Sequence, residues 1–413
     1  MPGYILFEDD SHFALRPFTF TRPVFHLRSG ILTIIEKWKY ALEQSVYALP
    51  MAHLKEIFQN LPQDDGDQLW VNGKICPDSE LIAALEELPP NTYMANLEGE
   101  IVMARFPIKS LPHDFRGCLS EAILEEIGLH KQLYTADFLA IRFMPDIFRK
   151  NHELIIRDFA LISQKENSVK LTDPYTRVYG KDNLFISEGA QIRSAIINAE
   201  NGPVYIGKNA IISEGSIILN THAICAHSKV QPGAKLRGDT TIGPKSKIGG
   251  EVGNSVIMGN SNKGHEGYLG NSVLGYWCNL GADTNTSNLK NNYANVKIWH
   301  YPSERFRDTG QQFCGLMMGD HSKAGINTMF NTGTVVGVSA NIYGSGFPRV
   351  FIPSFSWGGA SGFKTYRINK AFETMERVMP RKNSQLTEED KRLFQHIFEE
   401  TASYRVWDRK IEA

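Results

Sequence analysis

Between Val204 and Ile248 every sixth residue is aliphatic: Ile206, Ile212, Ile218, Ile224, Val230, Leu236, Ile242 and Ile248. A helix repeats near 3.6 residues and a strand near 2, so a strict period of six points to another architecture. Chance would have to deliver a roughly one-in-four event eight times over, on the order of 10⁻⁵. Two positions before most of these aliphatics sits a small side chain: Ala210, Ser216, Ser228, Ala234, Thr240 and Ser246. Hexapeptide repeats of this kind mark a parallel β-helix. Each unit is one short strand plus a corner, with the aliphatic inside and the small residue beside it.

The ladder resumes at Met318, Ala324, Phe330, Val336 and Ile342, and Ile186 and Ile192 form a weaker lead-in. Residues 198–203 read as an excursion. The sixes break over 249–317, which is expected to be where the solenoid is interrupted or decorated. Loops vary while coils hold position, so chemistry is sought there first.

Before the solenoid, GYILFE, SVYALP, DQLWVNG and NTYMANLEGEIVMARF read as strands, SELIAALEEL as a helix, and the stretch from Gly30 through Ile31, Ile34, Ile35 and Trp38 as another. Alternation of this kind predicts an α/β layered domain over 1–165, followed by a β-helix over 175–360. In the tail, 361–413, Ile368, Phe372, Met375 and Met379 have helical spacing, and a capping box at Thr387–Asp390 opens a second helix. The tail is expected to pack on the solenoid or on a neighbouring subunit.

With 44 basic and 45 acidic residues in 413, no polyanion-binding surface is advertised, and nucleic acid is not an expected partner. No window approaches 18 apolar residues, which together with an acidic N-terminus predicts a cytoplasmic protein with no membrane partner. Five cysteines without C-x-x-C spacing fit reduced thiols and no zinc site.

Within 249–317 the run Gly264-His265-Glu266-Gly267-Tyr268-Leu269-Gly270 is followed by Asn279-Leu280-Gly281-Ala282-Asp283-Thr284 and then Asn288. Acetyl transfer to an amino sugar needs a base for the attacking amine. An imidazole, ordinarily of pKa about 6.5, suits that task near neutrality. Tyr268, Asn279 and Asn288 supply neutral groups for hydroxyls. A lone histidine more often satisfies a loop carbonyl; this one has company.

These residues resemble the bifunctional N-acetylglucosamine-1-phosphate uridyltransferase/glucosamine-1-phosphate acetyltransferase (GlmU-like) family, with its G-H-x-x-Y-L-G, N-[IV]-G-A-G-T and later Asn. Over the whole chain the likeness is to the GlmU-like sugar nucleotidyltransferase variant of Bacteroidetes-type bacteria. The resemblance implies an α/β nucleotidyltransferase-like domain, a left-handed β-helix and a homotrimer with acetyl-coenzyme A bound between subunits. It makes His265 the catalytic base and Arg237 (in Ala234-Lys235-Leu236-Arg237), Tyr268, Asn279 and Asn288 the contacts to a sugar phosphate. The family's next-coil lysine is replaced by Asn254-Ser255, leaving Lys263, Lys290 or Arg305 as substitutes, and Trp299, His300 and Tyr301 as candidates to cover a pocket.

Leu15-Arg16-Pro17-Phe18-Thr19-Phe20-Thr21-Arg22-Pro23 resembles the second half of the nucleotidyltransferase signature, which nominates Arg16, Thr21 and Arg22 for nucleotide binding. The first half is replaced by His12, Phe13 and Ala14, the lysine by Val24, and the Mg²⁺-binding aspartate by Lys74. Two outcomes stay open: rearranged nucleotidyl transfer, with Mg²⁺ on Asp9, Asp10 or Asp78, or nucleotide-sugar binding alone. The contrasting reading of the whole chain is a catalytically inactive trimeric scaffold or nucleotide-sugar sensor.

Overall fold

The computed structural model describes residues 2–64 and 66–408. The chain divides into two compact units, one of residues up to 15, 21–27 and 32–143, the other of 16–20, 28–31 and 144 onward. The first is built on a six-stranded sheet in the order Val46–Leu49, Tyr4–Phe7, Asp67–Asn72, Ile101–Pro107, Thr92–Ala95, His130–Leu133. Its first three strands are parallel, and Ile101–Pro107 runs antiparallel to both neighbours. Ile5, Phe7, Trp70, Tyr93 and Phe106 fill its core. The helix expected from Gly30 begins later, at Ile34, because Thr33 and Glu36 form a capping box there. The amide of Ile31 instead donates to Asp158.

In the second unit three parallel sheets form a β-solenoid, the fold class that the period of six implies. The eight aliphatics from Ile206 to Ile248 are all fully buried, and the small residues before them are buried too. Ile218 stands opposite Leu236, Ile224 opposite Ile242 and Val230 opposite Ile248, so one coil is three hexads. Ser216 shows why the small position is polar: its hydroxyl donates to the corner carbonyl of Ser213 at 2.8 Å, satisfying a group no strand can reach.

The expected interruption at 249 does not occur. Leu236 pairs with Val252, Ile242 with Ile257 and Ile248 with Lys263, so the coil shortens to sixteen and then fifteen residues without losing its sheets. Shortened corners shift the inward positions off the strict six, and one inward position holds a lysine. Only 287–316 leaves the coils, and it carries the hairpin Lys297–His300/Arg305–Asp308. Trp299 stacks on Phe351, and Tyr301 is buried among Phe20, Phe351 and Tyr404. These rings pack the insertion down rather than cover a pocket.

The helices Asp146–Arg149 and Asn151–Ser163 lie along this unit. Asn151 donates to Asp239 O at 2.7 Å and accepts from Gly30 N and Thr241 Oγ1. In the tail, Ile368–Val378 and Glu388–Glu400 are helices, the second opened by the Thr387–Asp390 capping box. Phe394 meets His321, and Phe398 meets Phe355, so the tail packs on the solenoid. Residues 409–413 of the expected tail lie outside the described residues. No helix among the described residues is long and apolar enough to cross a membrane.

Ile217 and Ile218 are chain neighbours on opposite faces, Ile218 fully buried and Ile217 partly exposed. Ile218→Ala is expected to lower unfolding stability by about 2–5 kcal/mol, and Ile217→Ala by well under half of that. Urea melts of the two variants check it; equal losses would place the ladder side chains outside the core.

Candidate functional site

Stacked coils bring residues one turn apart in sequence to adjacent positions in space. The corners after Leu219, Gly238, Gly253 and Gly270 carry Asn220, Asp239, Asn254 and Asn271, all at positive φ of 67°, 48°, 48° and 48°. Short polar side chains tolerate that conformation best, and here they also line a cavity of about 840 Å³. Arg237, Tyr268 and Asn288 line it as well, with Gln311 and Gln312 from the end of the insertion. Asn288 Nδ2 donates to the Tyr268 hydroxyl at 3.0 Å and to Asn271 Oδ1 at 2.8 Å. Arg237 is exposed and paired with Glu251 at 2.8 Å, which raises its already high pKa. Burial raises the Tyr268 hydroxyl, against the opposing hydrogen bond from Asn288, so it meets a ligand as a neutral donor and acceptor.

Three of the five residues expected in the solenoid site are therefore together, and two are elsewhere. Asn279 lines a second cavity of about 370 Å³ with Asn260, Trp277, Lys323, Arg381 and Lys382. His265 is exposed in the corner between the strands Asn262–Lys263 and Tyr268–Gly270. Those strands belong to different sheets, the first carrying Asn279 and Lys323, the second carrying Arg237. The corner thus joins the two faces. Asn254 is visible in the sequence only as a departure from the family's lysine; Asn271 carries no signal because an asparagine at a tight corner is already explained by its backbone, and Gln311 and Gln312 lie at the end of the insertion, away from any repeat.

Lys263 is not a surface cation. It occupies the inward position opposite Ile248 and is 1% exposed. Its ammonium donates to Gly249 O at 2.8 Å and to His265 O at 2.9 Å, tying the His265 corner to the coil below. Burial lowers its pKa to about 8, despite Glu266 and Asp283. Lys290 is half-buried and donates to Asn295 O, and Arg305 lies on the exposed insertion hairpin.

The residues nominated for nucleotide binding are divided. Arg16 belongs to the second unit, where it pairs with Glu400 at 2.6 Å and lies over Phe20. Thr21 and Arg22 belong to the first unit and are buried. There burial, then the charge of Arg22, lowers His26 to about 4. For Mg²⁺ the residues do not fit. Asp78 caps the helix Ser79–Glu86, Asp9 is engaged by Lys74, and no cluster of three metal-ligating side chains occurs among the described residues. Mg²⁺ needs several oxygens around it.

Residues 4–167 match the family model described as sugar nucleotidyl transferase. The chain is 33% identical over 144 residues to a bifunctional sugar-1-phosphate nucleotidylyltransferase/acetyltransferase of Sulfurisphaera tokodaii, covering 34% of this chain and 35% of that protein. It is 26% identical over 254 residues to the bifunctional protein GlmU of Synechococcus elongatus, covering 56% and 49%. The chain thus spans half or less of the length of these relatives. A solved UDP-N-acetylglucosamine acyltransferase of Francisella novicida aligns at 15% identity over 57% of this chain and 81% of its own, with a TM-score of 0.23.

The folded pKa of Lys263, about 8, lies below the unfolded value of about 10.4. Between those values the unfolded chain binds more protons, so this group's contribution to stability rises with pH and is lost as pH falls through 8. Wild type is expected to gain stability relative to Lys263→Met from about pH 8 to pH 10. Paired thermal melts across that range check it; a flat difference would mean the ammonium is not held inside the coil.

Proposed function

For this GlmU-like chain, with its sugar nucleotidyl transferase segment, we propose that the solenoid transfers an acetyl group from acetyl-coenzyme A to the amine of an amino-sugar phosphate. The observation that carries the reading is the Arg237, Tyr268 and Asn288 cavity on one face of the corner that exposes His265. The Asn and Gln side chains and the neutral Tyr268 hydroxyl match sugar hydroxyls, and Arg237 at the rim matches a phosphate. His265 takes the proton from the amine as its nitrogen attacks the thioester carbonyl. The C–S bond then breaks, and the leaving thiolate takes that proton from the imidazolium and departs as the coenzyme A thiol.

The donor is read onto the other face. Lys382 sits close to Lys245, Lys247 and Arg381, and burial together with those three like charges lowers its pKa. None of the four makes an ion pair among the described residues. Mutually repelling cations beside a cavity suit the phosphates of coenzyme A, while buried Asn260 Oδ1, which has no protein partner, suits an amide N–H of its pantetheine arm. A homotrimer in the cytoplasm belongs to the same reading. The N-terminal unit is read as a nucleotide or nucleotide-sugar binder rather than a metal-dependent transferase, because Lys74 stands where the metal ligand would.

Coenzyme A release, measured over a panel of amino sugars with and without a 1-phosphate, tests acetyl transfer. Release is expected only with an amino sugar, and His265→Ala should reduce kcat by about 10²–10⁴. Arg237→Ala should raise KM for phosphorylated acceptors only. Folded wild type that releases nothing with any acceptor sinks the proposal and returns the solenoid to a scaffold. The donor face is tested separately: Arg381→Ala with Lys382→Ala should raise KM for acetyl-coenzyme A at least tenfold and leave acceptor KM in place. An unchanged donor KM would remove the phosphates from that face.

A further inference from the structure

In the N-terminal unit three strand ends converge on one point. Asp9 follows the strand Tyr4–Phe7, Lys74 follows Asp67–Asn72, and Glu100 precedes Ile101–Pro107. Phe7 stands opposite Asn72 and Val71 opposite Met103, which brings the three side chains to the same end of the sheet. Lys74 Nζ lies 2.5 Å from Asp9 Oδ2 and 2.6 Å from Glu100 Oε1. Its side chain is 5% exposed, and those of Asp9 and Glu100 are 16% and 13% exposed.

The remaining oxygens are also engaged. Asp9 accepts from Ser11 N at 3.0 Å and from Asn72 Nδ2 at 2.8 Å. Glu100 takes a fork from Arg142, Nε to Oε1 and the terminal nitrogen to Oε2, both at 2.8 Å. Burial alone would raise both carboxyls. Lys74 on Asp9, and Arg142 with Lys74 on Glu100, instead hold them below their ordinary range. Two carboxylates, one ammonium and one guanidinium sum to zero charge.

We propose that the Lys74 ammonium is a resident cation filling the place of a divalent ion, so that this unit holds no metal between Asp9 and Glu100 and meets a phosphate-bearing ligand without one there. Hard divalent ions take oxygens at about 2.0–2.6 Å, close to the two distances that Nζ keeps, so the gap between the carboxylates has the dimensions of an ion site. Entry of a divalent ion beside Lys74 would add two charges to a neutral cluster largely shielded from water, where like charges repel strongly. Removing the ammonium alone leaves a net charge of −1 and the two oxygens facing an open gap. The inference is independent of acetyl transfer by the solenoid, and its readout is metal binding.

The test is titration of Mn²⁺ alone into the full chain, following free Mn²⁺ by electron paramagnetic resonance. Wild type and Glu100→Gln are expected to bind Mn²⁺ equally. Lys74→Ala should gain one ion per chain, and the double variant Lys74→Ala with Glu100→Gln should lose it. Wild-type binding that Glu100→Gln or Asp9→Asn abolishes would overturn the proposal, and this arm does not depend on whether a Lys74 variant folds. So would a Lys74→Ala or Lys74→Ser protein with wild-type circular dichroism that gains no ion.

Discussion

Coil-to-coil hydrogen bonding governs the second unit. Neighbouring strands in a sheet sit about 4.8 Å apart, so each coil must return to its starting face after one such rise whatever its residue count. Eighteen, sixteen and fifteen residues all satisfy this between 218 and 263, because the corners absorb the difference while the strands keep their partners. Three consequences follow from that one constraint. Inward positions are dry, corners take left-handed conformations, and outward side chains on successive coils form stripes. The cavity lined by Asn220, Asp239, Asn254 and Asn271 is one such stripe.

The same constraint decides what could be read from the sequence. The period of six was visible because coil length stays fixed from 204 to 248. Past that point two corners shorten, the inward set becomes Val252, Ile257, Lys263 and Leu269, and a strict count loses it although the coils continue. His265, Tyr268 and Asn288 stood out as chemistry-bearing residues, but Asn279 did not carry a sign of which face it would join. Which residues share a cavity depends on the sheet each occupies, and sheet membership follows from coil length. The capping boxes at Thr33 and Thr387 are the opposite case: both partners lie within four residues, so one was read to the residue.

Long-range partners set the limit in the N-terminal unit. Buried Glu8 accepts from His12 Nδ1, Val24 N and Met51 N, and so pins the signature-like loop to a second segment. In the sequence Glu8 reads only as the end of the strand GYILFE, since none of these partners is a neighbour in the chain pattern. Arg16 looked like a phosphate ligand from its Arg-Pro context, yet its carboxylate partner lies 384 residues away in the tail. Lys74 was legible as a departure from a metal-binding pattern. Its carboxylate partners were not, because Asp9 and Glu100 meet it only once the sheet order is known.

The His265 corner shows how such a fold fixes a backbone and leaves the side chain on it exposed. Gly267, at φ +116°, has its missing Cβ position 2.2 Å from Thr284 O, so the turn after His265 has room for no other residue. Lys263 holds the carbonyl of His265 from below. The backbone on both sides of the imidazole is therefore fixed by contacts that leave its ring exposed. Burying a lysine under this corner costs the desolvation of its ammonium, and an aliphatic would restore the ladder. The ammonium supplies what an aliphatic cannot, two donors to corner carbonyls that the shortened coil leaves without strand partners.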